Sequence, residues 1–189
     1  LIARLYSDYA YQNQWSLMRR TDVVDTLPDD MREWGSNVFM QKVLDHTHAA
    51  LEDSVALFGM SSKEYIPFVD QHSTSRYFNH NMYQLLAFYA ISSLRSMATF
   101  ENDSILTQTI SNIYSSLNRM YRKQNNNDAL ILLALEGLEW RKTDGGLSSD
   151  GYLRSLDELI KTYDDREVCA EVYLAKDRQL TNDNKKVEA

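Results

Sequence analysis

The sequence predicts an all-α fold of antiparallel helical hairpins, tetratricopeptide-like (an α-solenoid) in its C-terminal half. Three observations predict it. Among 189 residues there are only 6 glycines and 2 prolines, too few breakers for a turn-dense β fold. Apolar residues recur at steps of three and four, most cleanly at Leu106, Ile110, Ile113, Leu117 and Met120/Tyr121, one stripe on a helix. Short polar punctuations (QNNND, TDGGLSSDG and YDDR) separate the apolar-periodic segments.

In chain order, the first helix is expected over 1–20, with Leu1, Leu5, Tyr9 and Leu17 near helical spacing. A second is expected over 28–53. Thr26 can cap it, Pro28 suits its first turn, and Asp29 and Asp30 suit the positive end of its dipole. Trp34, Val38, Phe39, Val43 and Ala50 give it an apolar side. Ser61-Ser-Lys-Glu64 fits a capping box opening a short turn that Pro67 ends. Residues 68–78 read as loop. The helix over 80–97 is apolar nearly all round, which predicts a place at the centre of the core. Helices follow over 103–124, 128–142, 152–163 and 166–180.

The chain divides into an N-terminal helical part, 1–100, and a part of helical hairpins, 101–189, read together as one continuous domain. It opens on helix at Leu1 and closes on the polar run NDNKKVEA, so it is read as a fragment of a longer protein. The final four helices carry a faint repeat. Sliding the segment from Ser116 onto that from Ser155 superposes Leu117 on Leu156, Met120 on Leu159, Tyr121 on Ile160, Ala129 on Val168 and Leu133 on Val172. The offset exceeds the roughly 34 residues of the tetratricopeptide repeat, whose full consensus is missing.

A net charge of −7 repels nucleic-acid phosphates. The densest positive spots, Arg19-Arg20, Arg119 to Lys123 and Lys185-Lys186, carry no base-reading motif. No apolar run approaches the roughly 18 residues of a membrane span. The single cysteine, Cys169, excludes an internal disulfide. Cys169-Ala-Glu-Val172 begins like the Cys-x-Glu-Gln of internal thioesters, but valine stands where the acyl-donating Gln is needed. Cys169 is therefore read as a small core residue.

The stretch HSTSRYFNHNMY (72–83) concentrates the polar chemistry. His72 and His80 can bind a metal or move protons, but zinc needs three or four ligands and none cluster nearby. Asn79 or Asn81 suits a helix start, where its side chain accepts from free backbone N–H groups. Ser75 and Arg76 can tie the incoming loop, and Tyr77, Phe78 and Tyr83 can pack it down. His46 and His48, two apart on a helix, face nearly opposite ways. His46 is expected to be partly buried on the Val43 side and His48 exposed. Carboxylates are dispersed, and no phosphate loop, Ser-His-Asp order or His-Glu-x-x-His occurs. The expectation is no catalytic residue, cofactor or metal. The aromatic residues, 12 Tyr, 6 Phe and 3 Trp, are read chiefly as packing between helices.

The order of three segments, DDMREWGSNVFMQKV, SRYFNHNMYQLLAFYAI and SSLNRMYRKQNNNDALILLALEGLEW, resembles the N-terminal region of large alpha-2-macroglobulin-like proteins of Bacteroidetes. The resemblance rests on Asp30, Glu33 and Trp34, then on Ser75, Arg76, Tyr77, Phe78, His80 and Asn81. It implies a parent protein exported to the periplasm and lipid-anchored, an endopeptidase inhibitor that collapses around a protease when a bait segment is cut. Its implied partners are the macroglobulin domains downstream in the same chain, with neither nucleic acid nor membrane insertion. The junction residues Trp34, Ser75, Arg76, Tyr77, His80 and Asn81 would then be architectural. Two alternatives are a helical-repeat adaptor for a peptide or protein, and a hydrolase or lyase fragment working through Arg76, His80 and Tyr83.

Overall fold

The computed structural model describes residues 1–20, 27–68, 72–99 and 104–183. Thr26, Lys185 and Lys186 lie outside them. Among the described residues the regular elements are helices, joined by one isolated antiparallel bridge between Ser61 and Asn81. The chain forms two compact units: residues 1–70 with 80–113, and residues 71–79 with 114–189. The division therefore falls elsewhere than at the 100/101 boundary. It cuts within one helix and assigns a nine-residue segment of the N-terminal half to the C-terminal unit.

In the first unit, α1 (Ile2–Gln12) is followed by the single turn α2 (Gln14–Leu17). Asn13 separates them: its φ of −108° leaves the helical range, and its side-chain amide donates to the Tyr9 carbonyl at 2.8 Å. The expected stripe is wrong in part, because Leu1 and Leu5 are 96% and 65% exposed. Leu17 is buried as expected, while Ser7 and Ala10 are buried in place of Leu1 and Leu5. Small Ser7 and Ala10 allow close approach to the helices opposite, while Tyr6 and Tyr9 fill the gaps with rings. Tyr6 lies 5.9 Å from Trp34 and 6.3 Å from Phe39, and Tyr9 lies 5.3 Å from Phe39. Amphipathic ring packing of this kind is not marked by a leucine pattern.

The helix expected from Pro28 begins later, as α3 (Ser36–Leu51). Asp30 does cap, accepting from the Arg32 N–H at 2.9 Å, but it caps a 3-10 turn, Met31–Glu33. Trp34 and Gly35 are extended and break the run. Trp34 precedes the helix rather than lying on its apolar face. Its indole N–H donates to the Pro28 carbonyl at 2.7 Å, and Arg20 donates to the Trp34 carbonyl at 2.9 Å. Phe39, Val43, Leu44 and Thr47 form the buried side of α3, whereas Ala50 is exposed. The sequence reading missed α4 (Ser54–Gly59), capped by Asp53, which accepts from the Ala56 N–H at 3.0 Å. A 3-10 run, Lys63–Phe68, follows with Pro67 inside it.

α5 (Met82–Ala98) packs on α1, α3 and α4 and buries Tyr83, Ala87, Ala90, Ile91, Leu94 and Met97. Burying an aliphatic side chain such as Ile91 or Leu94 contributes about 1.5–3 kcal/mol.

Helix α6 (Ser104–Lys123) buries the whole expected stripe. Its end has the Schellman pattern: Asn126 N–H donates to the Tyr121 carbonyl, Asn125 N–H to that of Arg122, and Asn125 takes φ +53°. In the second unit α7 (Asn127–Thr143), α8 (Ser149–Tyr163) and α9 (Cys169–Asn182) pack on one another. Ser148 starts α8 three residues earlier than expected, accepting from the Gly151 N–H at 3.2 Å. Gly145, at φ +77°, makes the turn before it. Ile131, Leu135, Tyr152, Leu156, Val168, Cys169 and Val172 share the core, with Tyr77 and Phe78 packed on its edge.

Candidate functional site

The polar stretch 72–83 divides between the two units after Asn79. In the second unit His72 opens a 3-10 turn, Ser73–Tyr77. Its Nδ1 accepts from the Thr74 N–H at 3.4 Å, and Ser75 Oγ accepts from the His72 N–H at 3.0 Å. Arg76 donates to Glu167 at 2.6 Å and to the Tyr77 hydroxyl at 2.8 Å, with its guanidinium 4.8 Å from the centroid of the Tyr77 ring. These contacts raise the Arg76 pKa, the Tyr77 hydrogen bond most, then Glu167. The ion pair is solvent-facing, so little stability rests on it.

The residue that gathers this stretch is Asn126, which the sequence presented only as part of a polar turn. Its Oδ1 accepts from the Ala129 N–H at 3.0 Å and caps α7. Its amide nitrogen donates to the Tyr77 carbonyl at 3.0 Å and also to Asn79 Oδ1. Asn79 in turn donates to Gln124. The Phe78 ring lies 6.1 Å from that of Tyr121. Asn126→Ala is expected to lower stability by about 1–2 kcal/mol through loss of the cap, with a further cost for the unpaired Tyr77 carbonyl. Asn126→Asp keeps the cap acceptor and should recover most of the cap's share. Urea denaturation of the three proteins, followed by circular dichroism, measures both.

In the first unit His80 contributes backbone. Its carbonyl accepts from the Ser62 N–H at 2.7 Å, and it holds φ +50°, a left-handed conformation costly for L residues with a Cβ. Asn81, 6% exposed, caps α5 by accepting from the Gln84 N–H at 2.8 Å. Tyr83 is 3% exposed and packs edge-on against Phe58 at 4.5 Å. His80→Gly relieves the backbone, whereas His80→Ala removes the ring and keeps the strain. The glycine variant should be the more stable by about 1 kcal/mol. Equal stabilities would contradict a backbone role for position 80.

Arg76 thus belongs to the second unit, and His80 and Tyr83 to the first. His46 is half-buried and stacked on Tyr6 at 5.7 Å, and His48 is exposed. Cys169 is buried in the second unit's core, where burial above all, then Asp164 and Asp165, pushes its thiol pKa up, away from the reactive thiolate. Among the described residues no group of three or more His, Cys, Asp or Glu is placed to hold a metal ion, and no helix is long and apolar enough to cross a membrane.

No protein-family model, no curated protein and no solved structure matches this chain.

The polar groups gathered here accept from helix-starting N–H groups and tie one segment to the next. The sequence missed Asn126, Gln124 and Glu167. A signal for the first was present: an asparagine three residues before the apolar run that starts at Ala129 is an N-cap pattern. Nothing local marks Glu167, which lies 91 residues from Arg76 in the chain.

Proposed function

We propose that this chain is a non-enzymatic helical scaffold, a docking module of a large alpha-2-macroglobulin-like protease inhibitor. The observation that carries the proposal is the use made of the polar stretch. His72, Asn81 and Asn126 accept from backbone N–H groups that open helical segments, and Asn126 also holds the Tyr77 carbonyl. A side chain saturated in that way supports a shape rather than a reaction. Paired hairpins suit the same role. The buried residues Leu117, Ala129 and Leu133 recur as Leu156, Val168 and Val172, as stacked helix–turn–helix units of a tetratricopeptide-like solenoid require.

In this account the parent chain is exported, is anchored by lipid, and inhibits endopeptidases by closing around them after bait cleavage. The present segment holds the macroglobulin domains that follow it. The coding sequence beyond Ala189 should read into β-sandwich macroglobulin domains. The parent protein, incubated with a protease, should block hydrolysis of casein while sparing a small chromogenic peptide. The present chain alone should leave both activities untouched. A catalytic domain encoded next, or turnover by this chain that Arg76→Ala or His80→Ala removes without lowering the melting temperature, would overturn the proposal in favour of an enzyme fragment.

A further inference from the structure

Residues 72–79 belong to the second unit, whereas His80–Ile113 returns to the first. None of the residues 72–79 is buried. The segment shapes itself: the Ser75 N–H donates to the His72 carbonyl at 2.9 Å, the Phe78 N–H to the Ser75 carbonyl at 3.2 Å, and the His72 N–H to Ser75 Oγ at 3.0 Å. It lies on the second unit as a peptide lies in a groove. Tyr77 and Phe78 rest half-buried against the core that holds Ile131, Val168 and Val172. The Asn126 amide holds the Tyr77 carbonyl at 3.0 Å, and Arg76 meets Glu167 at 2.6 Å. In peptide recognition, main-chain hydrogen bonds give affinity and side-chain contacts give specificity; both kinds are present here. An element with little buried surface and solvent-facing bonds opens at low free energy. Just past its end, His80 holds strained backbone at φ +50°, and the Ser61–Asn81 bridge fixes the chain that follows. Opening therefore stops at His80.

We propose that 72–79 is a strap seated in a peptide groove of the second unit, and that an extended segment of a partner protein, bearing an arginine followed by two aromatic residues, displaces it. The partner's rings take the places of Tyr77 and Phe78, its arginine faces Glu167, and the Asn126 amide holds its backbone carbonyl. A second copy of this chain gains nothing in that role. It lifts one strap for each strap it seats, and association itself costs translational and rotational freedom. The groove needs only the second unit's fold, whatever the parent protein is.

The probe is the peptide HSTSRYFN, the sequence of 72–79, with a fluorophore at its amino end and an amidated carboxyl end. The strap competes with it at an effective concentration on the order of millimolar. The host is therefore the 189-residue chain carrying Tyr77→Ser and Phe78→Ser, which release the strap. Fluorescence anisotropy should show saturable one-to-one binding to this variant, about tenfold or more tighter than to the wild type. Adding Asn126→Asp keeps the α7 cap but removes the amide donor, and should weaken the peptide about tenfold. A peptide with serine in place of both rings should not bind. In isotope-labelled wild-type protein, unlabelled peptide in excess of the strap's effective concentration should move the Tyr77 and Phe78 amide resonances to disordered positions. Gln84, in the first turn of α5, should stay in place. No saturation with the folded double variant, or equal affinity for variant and wild type, would overturn the groove. Tyr77 and Phe78 resonances that stay fixed in the wild type would overturn it too, and that reading stands even where the double variant does not fold. A wild-type dimer in sedimentation that Phe78→Ser dissolves would overturn the partner segment in favour of exchange between copies.

Discussion

Tyr121→Ala is expected to destabilise the second unit by about 3–5 kcal/mol, as removal of a large buried ring does. Tyr121→Phe is expected to be neutral or stabilising by up to about 1 kcal/mol. The residue is fully buried and packs beside Phe78, yet its hydroxyl has no hydrogen-bond partner. The ring therefore contributes apolar burial, while the hydroxyl carries an unreturned desolvation cost. Burial, reinforced by Glu136, pushes the phenol far above its ordinary pKa, so the group stays neutral in the folded chain. Urea denaturation of the two variants and the wild type separates ring from hydroxyl. A loss of more than about 1 kcal/mol in the phenylalanine variant would mean that the hydroxyl has a partner worth keeping.

The second large effect is alkaline. Tyr152 is 3% exposed, and burial, with Glu139 adding to it, pushes its phenol up to about 12 from 10.0. In the unfolded chain the phenol ionises near its ordinary value. The folded state therefore holds the proton more firmly, and the stability this represents is complete below pH 10 and lost as pH rises towards 12. Solvent screening of the phenol oxygen reduces its size to on the order of 1 kcal/mol. The Lys142 ammonium lies 4.9 Å from the ring centroid and would sit over a phenylalanine equally well, so its own titration largely cancels in a comparison with Tyr152→Phe. Urea midpoints of both proteins from pH 8 to 11.5 should show the wild type losing ground to the variant above pH 10. A difference that stays flat with pH would contradict the burial argument.

The C-terminal half was the more legible in sequence because its signals are local. The α6 stripe needs only helical spacing, and the polar turns before α7 and α8 place those helices, although the Asn126 and Ser148 caps that start them went unread. α5 was equally open to reading, through its apolar run and the Asn81 cap. α1 was not, because its inward face is built from Tyr6, Ser7 and Ala10, while the more hydrophobic Leu1 and Leu5 face outward. The start of α3 misled for a different reason. Pro28 and Asp30 do announce a helical turn, but the Trp34 indole bond to Pro28 and the Arg20 bond to Trp34 hold an extended break before Ser36. Those bonds depend on folding back, which residue order alone does not express. The candidate site followed the same rule. Asn81 was legible as a cap, whereas the left-handed backbone at His80 and the reach of Arg76 to Glu167 belong to tertiary structure.

Amide hydrogen exchange at Gln84 and Ala129 puts the structural use of these side chains to the most direct test. Each N–H donates to one asparagine, Asn81 or Asn126. In Asn81→Ala and Asn126→Ala the matching amide should exchange about tenfold faster, as loss of a cap implies, while the aspartate variants should stay near the wild-type rate. Wild-type protection of both amides in the alanine variants would contradict the account and leave these side chains free for another task.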